Sequence, residues 1–207
     1  SVRLTIDTLL LAPAAVADMT DDSEPIGDDA IAGLSRSDPL AAVSPLDGRY
    51  ARYTKPLVPY ASERALMRAR VEVEVEYLLA LADLDATPLT IDADQRAALR
   101  ACYEEFDDED ASVVKQLETE GYGEYSATNH DVKAIEYFIR LGMPDGLDAD
   151  HWIHFGLTSE DVNNLAHRLL VKPATEDVLV PELREIRDTL VEMAHDYADL
   201  PMLARTH

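Results

Sequence analysis

The chain has 207 residues, 41 of them Asp or Glu against 18 Lys or Arg, for a net charge of −23. An apolar share of 47% is that of a core-forming chain and not of a disordered one, and the length suffices for one or two domains. The charge argues against nucleic acid and anionic lipid as partners, because their phosphates repel it, and no apolar run reaches the roughly 18–20 residues that span a bilayer.

Only four of the basic residues are lysines: Lys55, Lys115, Lys133 and Lys172. Many Asp with few Lys suits a protein working in high salt, where screening weakens self-repulsion; an ordinary acidic soluble protein is the plainer alternative. Cys102 is the single cysteine, so no intrachain disulfide forms. The expected location is cytoplasmic.

Residues 1–18 have one arginine, a short apolar stretch and small residues, as a weak signal peptide would. Asp7 interrupts that stretch. The favoured reading is that Met19 is the natural start and that residues 1–18 lie upstream of it. Residues 1–40 as a whole read as a flexible acidic arm, broken by Gly and Pro. Residues 41–155 are expected to form a helical domain, and residues 156–207 the start of a helical bundle.

In SPLDGRY (44–50), Pro45, Asp47 and Gly48 make a turn that presents Arg49 and Tyr50. From Ser62 to Leu84 neither Gly nor Pro occurs. The Val/Glu alternation inside this stretch looks strand-like. Leu66, Val73, Tyr77, Ala80 and Leu84 recur at helical spacing, however, and the stretch is long for a strand, so a helix is expected. Asp92 and Gln95 have capping-box spacing and open a helix to about Phe106. A short helix over DDEDASVVKQLETE follows, and GYGEYSA (121–127) reads as a loop. In TNHDVKAIEYFIRLG, Thr128 with Asp131 has capping-box spacing and Gly142 suits a stop. Val132, Ile135, Tyr137, Phe138 and Leu141 form its expected buried side. Helix continues from Thr158 or Ser159 almost to Pro201, interrupted or bent at Pro173 and Pro181. No strand is expected: the architecture reads as all-α, with last helices long enough for a bundle.

The polar groups of interest gather where helices begin or loops turn. At TSED, the first amides of a helix lack partners inside it. With the Thr158 and Ser159 hydroxyls they can grip a carboxylate; equally, Thr158 can simply cap the helix, with Asp161 completing the box. Asn129 and His130 occupy the corresponding place in TNHD, where His130 by itself is as well explained by capping. His151, His154, His167 and His195 carry no functional assignment, although His154 beside Phe155 fits a satisfied core residue. His151 and His154 lack an acidic or cysteine partner at metal-ligand spacing, so no metal site is expected. Neither a phosphate-binding glycine loop nor a G-x-S-x-G elbow occurs.

Four stretches in this order, SPLDGRY, TNHDVKAIEYF, HFGLTSEDVNNLAH and LARTH, resemble segments of the adenylosuccinate lyases of the fumarase/aspartase superfamily. The resemblance runs from about residue 42 to the end. It implies β-elimination of fumarate from adenylosuccinate and from succinyl-aminoimidazole-carboxamide ribotide, without metal or organic cofactor, in a homotetramer whose active sites are shared between subunits. By that resemblance Arg49 and Tyr50 hold the nucleotide phosphate, Asn129, His130 and Asp131 line the substrate site, and Thr158 and Ser159 bind the succinyl portion. Thr206 contacts substrate, and His207 is the general acid, with His130 the second catalytic histidine. Lys133 and Arg205 lie beside matched motifs without a role. The family continues past this histidine with a helical bundle and a mobile loop bearing a catalytic serine, which these 207 residues do not include. The expectation is therefore an N-terminal portion, inactive alone. Another lyase of the superfamily, acting on argininosuccinate or aspartate, and a non-catalytic helical interaction module are the alternatives.

Overall fold

The computed structural model describes residues 42–201 and 203. The acidic arm expected over 1–40 lies outside these described residues, as do Thr206 and His207. Contacts divide the chain into two units, Ser1–Arg52 and Tyr53–His207.

In the described part of the first unit, SPLDGRY turns as expected. The Asp47 and Gly48 amides donate to the Ser44 carbonyl at 3.1 and 3.2 Å, and the Tyr50 amide donates to the Pro45 carbonyl at 2.9 Å.

The second unit is helical. After short helical turns ending at Ala61 come α1 (Glu63–Ala82), α2 (Ala93–Glu104), α3 (Asp108–Thr119), α4 (Asp131–Leu141), α5 (Ser159–Pro173) and α6 (Val180–Asp196). Among the described residues the only strands are β1 (Gly121–Tyr122) and β2 (Tyr125–Ser126), an antiparallel pair inside the stretch read as a loop. Gly121 makes that hairpin possible: its φ is +98°, and a Cβ there would come within 2.8 Å of the Tyr125 carbonyl oxygen. The all-α class stands with this small addition.

The Val/Glu alternation of α1 has a helical explanation. Val71 and Val75, four apart, face the main core with Leu78, Leu79, Leu99 and Leu117. Val73 faces the other way, where Ala65 and Ala69 of α1 meet Val162, Ala166 and Leu170 of α5. α1 is thus covered on two sides, and the small Ala65/Ala69 ridge lets α5 approach closely. Ser62 caps α1, accepting the Ala65 amide at 3.2 Å. Of the residues that recur at helical spacing, Val73 is buried, Leu66 and Tyr77 are half-buried, and Ala80 and Leu84 are exposed.

Asp92 with Gln95 forms the expected capping box of α2, and Asp107 with Asp110 forms one for α3. On α4, Val132, Ile135 and Phe138 are buried as expected, while Tyr137 is half-buried and Leu141 exposed. Tyr137 instead stacks on Tyr125 of the hairpin, 4.4 Å between ring centres. Gly142 ends α4 as expected, but its φ is −88°, outside the left-handed region. Its service is close approach: a Cβ there would lie 2.8 Å from Cys102 Sγ on α2.

Between α5 and α6 the helix does not break. Ala174–Leu179 widens into a π-helix, bounded by Pro173 and followed by Pro181 in the first turn of α6. Proline lacks the amide that regular spacing needs, and the wider turn absorbs the defect.

Candidate functional site

Arg49 and Tyr50 belong to the first unit, where both are exposed and the Arg49 guanidinium lies 5.1 Å from the centre of the Tyr50 ring. The remaining described candidates, Asn129, His130, Asp131, Thr158 and Ser159, lie in the second unit.

The hairpin delivers TNHD to the end of α3. The Thr128 and Asn129 amides donate to the Leu117 and Glu118 carbonyls at 3.0 and 2.8 Å, satisfying acceptors that the helix end leaves open. Asn129 takes the left-handed conformation, φ 49°, which Asn tolerates better than most residues. The chain then turns into α4, but not through the expected Thr128–Asp131 box. His130 is the N-cap: its Nδ1 accepts the Lys133 amide at 3.2 Å. Thr128 instead brackets His130, its hydroxyl donating to the His130 carbonyl and accepting the His130 amide. The reason is spacing: Thr128 sits two residues before the last non-helical one. A ring nitrogen that accepts an amide carries no proton, so the His130 proton is on Nε2.

Asn129, His130 and Asp131 line one cleft of about 350 Å³ with Arg70 and Met67 of α1 and Glu118 of α3. Both Asp131 oxygens are engaged: Oδ1 accepts the Val132 amide at 2.9 Å, and Oδ2 pairs with Arg70 Nη2 at 2.8 Å. Partial burial alone would raise the Asp131 carboxyl, but the Arg70 charge and the Val132 amide outweigh it and hold it below the usual aspartate range. Asp131 is therefore a held carboxylate and a poor proton acceptor.

At TSED the cap reading and the anion reading divide the residues. Thr158 is the N-cap, and a complete capping box forms with Asp161. The Thr158 amide and hydroxyl donate to Asp161 Oδ2 at 2.8 and 2.7 Å, and these bonds keep the Asp161 carboxyl low. That leaves the half-buried Ser159 hydroxyl and the first amides of α5 that the cap does not engage as the groups available to a carboxylate here.

Two further features bind these stretches to α1, and the sequence reading missed both. Arg70 is 7% exposed. Its Nε donates to Asn163 Oδ1 of α5 at 2.9 Å while its Nη2 holds Asp131 of α4. The signal was an arginine on the Leu66–Val73–Tyr77 side of a helix with no other reason to carry one there. The second is His154, assigned only a core role. It is left-handed at φ 60°, and its Nδ1 lies 2.5 Å from Oε1 of Glu74, which is 1% exposed. One turn on, the Tyr77 hydroxyl donates to the Phe155 carbonyl at 2.9 Å. The turn that launches α5 is thus pinned twice to α1.

A roomier hollow of about 660 Å³ lies between Pro88–Gln95 and Gly146–Trp152, but it contains none of the motif residues. Among the described residues no three His, Cys, Asp or Glu side chains gather as metal ligands, and no helix is long and apolar enough to cross a membrane.

Comparison with known proteins adds an independent line. A family model described as "Lyase" matches residues 48–207. The adenylosuccinate lyase of Dictyostelium discoideum is 42% identical over 176 residues, covering 81% of this chain and 36% of the relative. That of Escherichia coli (strain K12) is 40% identical over 173 residues, and that of Vibrio cholerae 38% over 174, with the same coverage. The chain thus spans 36% of the length of these relatives. With TNHD and TSED at the starts of α4 and α5 and a family match over residues 48–207, this chain belongs to the lyases of the fumarase/aspartase superfamily.

Proposed function

We propose that the whole protein is an adenylosuccinate lyase of purine biosynthesis, releasing fumarate from adenylosuccinate and from the succinyl-carboxamide ribotide. The observation that carries this is the family match over 48–207, which takes in Gly48, Arg49 and Tyr50 of DGRY and the whole of TNHD, TSED and ARTH. The relatives named above are adenylosuccinate lyases and not argininosuccinate lyases or aspartases, which favours the nucleotide substrate.

The chemistry assigns each residue a task. Transfer of a proton beside a carboxylate to the catalytic serine, which the resemblance places on the loop that these 207 residues do not include, creates a doubly negative aci-carboxylate, and the pair of electrons left on carbon then expels the amine as the C–N bond breaks. Ser159 and the first amides of α5 stabilise the carboxylate charge, with Thr158 holding the helix start through its cap. His207 donates the proton that makes the nitrogen a good leaving group, and Thr206 contacts substrate beside it. Asn129 and the Nε2–H of His130 offer neutral hydrogen bonds to the nucleotide, and Asp131 keeps His130 in place. Arg49 and Tyr50 take the phosphate, which suits an exposed cationic residue offered by a turn.

The test is a graft. Residues 48–207 replace the matching segment of the E. coli relative, and fumarate release is followed by the fall in adenylosuccinate absorbance. Activity within about tenfold of the parent is expected, with His207→Ala lowering it at least about a hundredfold. A folded graft without activity overturns the reading.

We also infer a cytoplasmic homotetramer joined through α6. Leu179, Leu183, Ile186, Leu190, Met193 and Tyr197 alternate four and three apart, and all are exposed in the single chain. That is the spacing of a left-handed helical seam. Sedimentation of the chain should show association that Leu183→Glu with Leu190→Glu abolishes. The surplus of acid supports a saline setting, tested by stability in KCl; full stability in dilute buffer speaks against it.

A further inference from the structure

We propose that Arg70 is a positioning residue of the candidate site: held by Asn163 of α5, its guanidinium fixes the Asp131 carboxylate and so sets the start of α4, and His130 with it, relative to the start of α5. The inference rests on the reading that the TNHD and TSED stretches serve one substrate, and goes beyond it by naming what keeps them in register.

The two partners of Arg70 lie on different helices, and it reaches them with different nitrogens, 2.9 Å to Asn163 and 2.8 Å to Asp131. A planar guanidinium ties those two directions together, which an ammonium cannot do. Asn163 sits one helical turn beyond Ser159, so the clamp grips α5 close to its anion-facing end. On the other side, Asp131 is the first residue of α4, directly after the His130 cap. Burial of Arg70 matters too: with water excluded, the guanidinium has few alternative partners, and a displaced carboxylate would leave it unpaired.

The electrostatic surroundings make the clamp readable through Asp131. α1 contributes Arg70 and Glu63, α3 contributes Glu118, and His130 precedes Asp131 with its Nδ1 3.7 Å away. Glu63 and Glu118 are both answered by Lys115, at 2.9 and 3.0 Å. On the same helix, Glu136 is paired with Lys133. From α5 comes the uncharged Asn163, so a change there alters the geometry around Asp131 without altering the charge.

The experiment follows the Asp131 carboxyl and the His130 ring by NMR through a pH titration. The samples are the wild-type chain, Asn163→Ala, Arg70→Met, Arg70→Lys and the Asn163→Ala/Arg70→Met double variant. Asn163→Ala should move the Asp131 midpoint upward and shift the His130 ring signals. Arg70→Met should move the midpoint further up, and adding Asn163→Ala to it should change nothing more. Arg70→Lys should restore part of the downward shift. An Asp131 midpoint unmoved by Asn163→Ala overturns the proposal, and that arm is readable even if Arg70→Met does not fold. Placing the same substitutions in the graft described above and adding adenylosuccinate separates the two claims. Intact coupling without any binding leaves the clamp standing and counts against the functional reading. Equal binding by wild type and Asn163→Ala overturns the positioning role.

Discussion

α1 and α6 are both long helices with apolar residues three and four apart, and they meet opposite fates. α1 is covered on two sides and hides three charged or polar anchors along its length: Arg70, Glu74 and the half-buried Tyr77. α6 leaves Leu183, Ile186, Leu190 and Met193 exposed and has no buried residue. The pattern of a helix states which face seeks cover, but not what supplies it. Inside the second unit, α1 receives its cover from α2, α3, α4 and α5, and the charges within it persist only where each has a partner.

The largest expected effect breaks one of those partnerships. His154→Ala leaves the buried Glu74 carboxyl without its partner and should cost about 3 kcal/mol in urea unfolding. The matched change on α6, His195→Ala at an exposed position, should stay within about 0.5 kcal/mol. If His154→Ala costs less than about 1 kcal/mol, the Glu74–His154 bond does not anchor α1, and the account of α1 fails. The apolar pair comes next. Leu78, fully buried on α1, should cost about 2–5 kcal/mol when changed to Ala. Leu190→Ala on α6, 60% exposed, should leave the stability of the single chain within about 0.5 kcal/mol and act on association instead. Equal costs at the two positions would mean that α6 is covered in solution.

The same contrast explains what could be read from the sequence. Caps are local, so the boxes at Asp92 and Thr158 were legible from four residues each. The helix over the Val/Glu run was legible from its length. Its two-sided burial was not, because Val73 finds α5 roughly ninety positions along the chain, a distance like the |i−j| of 93 between Arg70 and Asn163. The Tyr137 contact was hidden for a similar reason: at the edge of the core it stacks on Tyr125, and the hairpin that carries Tyr125 read as a loop. At the site, the residue types were legible from the motifs. The clamp joining them was not, since a buried arginine declares its purpose only through partners on other helices.

A smaller effect sharpens the comparison at helix starts. α2 begins with a full capping box, whereas α6 begins without a side-chain cap, continuing from the π-helix. Asp92→Ala should lower stability by about 1 kcal/mol. Glu182→Ala, in the first turn of α6, should change it by no more than about 0.5 kcal/mol, its interaction with the helix dipole being exposed. Thermal unfolding of the two variants against wild type decides this, and an Asp92 cost no larger than that of Glu182 would remove the cap from the account.

The last effect is the smallest, because it is a difference of slope between two stability curves. Burial pushes the Glu74 carboxyl up; the His154 hydrogen bond pulls it back without cancelling the rise, and the charge of Glu136 adds to the rise. Oε2 of Glu74 finds no partner among the described residues, which likewise favours a proton. A carboxyl raised in the folded chain binds its proton more tightly there than in the unfolded chain. Its contribution to stability is therefore complete below the ordinary glutamate value of 4.5 and is lost as pH rises through the folded value. Glu74→Gln keeps an acceptor for His154 and removes the titration. Subtracting its stability from that of wild type, at points below about pH 6 so that ordinary histidines stay charged, should give a difference that falls as pH rises. If the Glu74 difference instead rises with pH, the His154 bond outweighs burial, and Glu74 belongs with Asp131 among the carboxylates that their partners hold ionised.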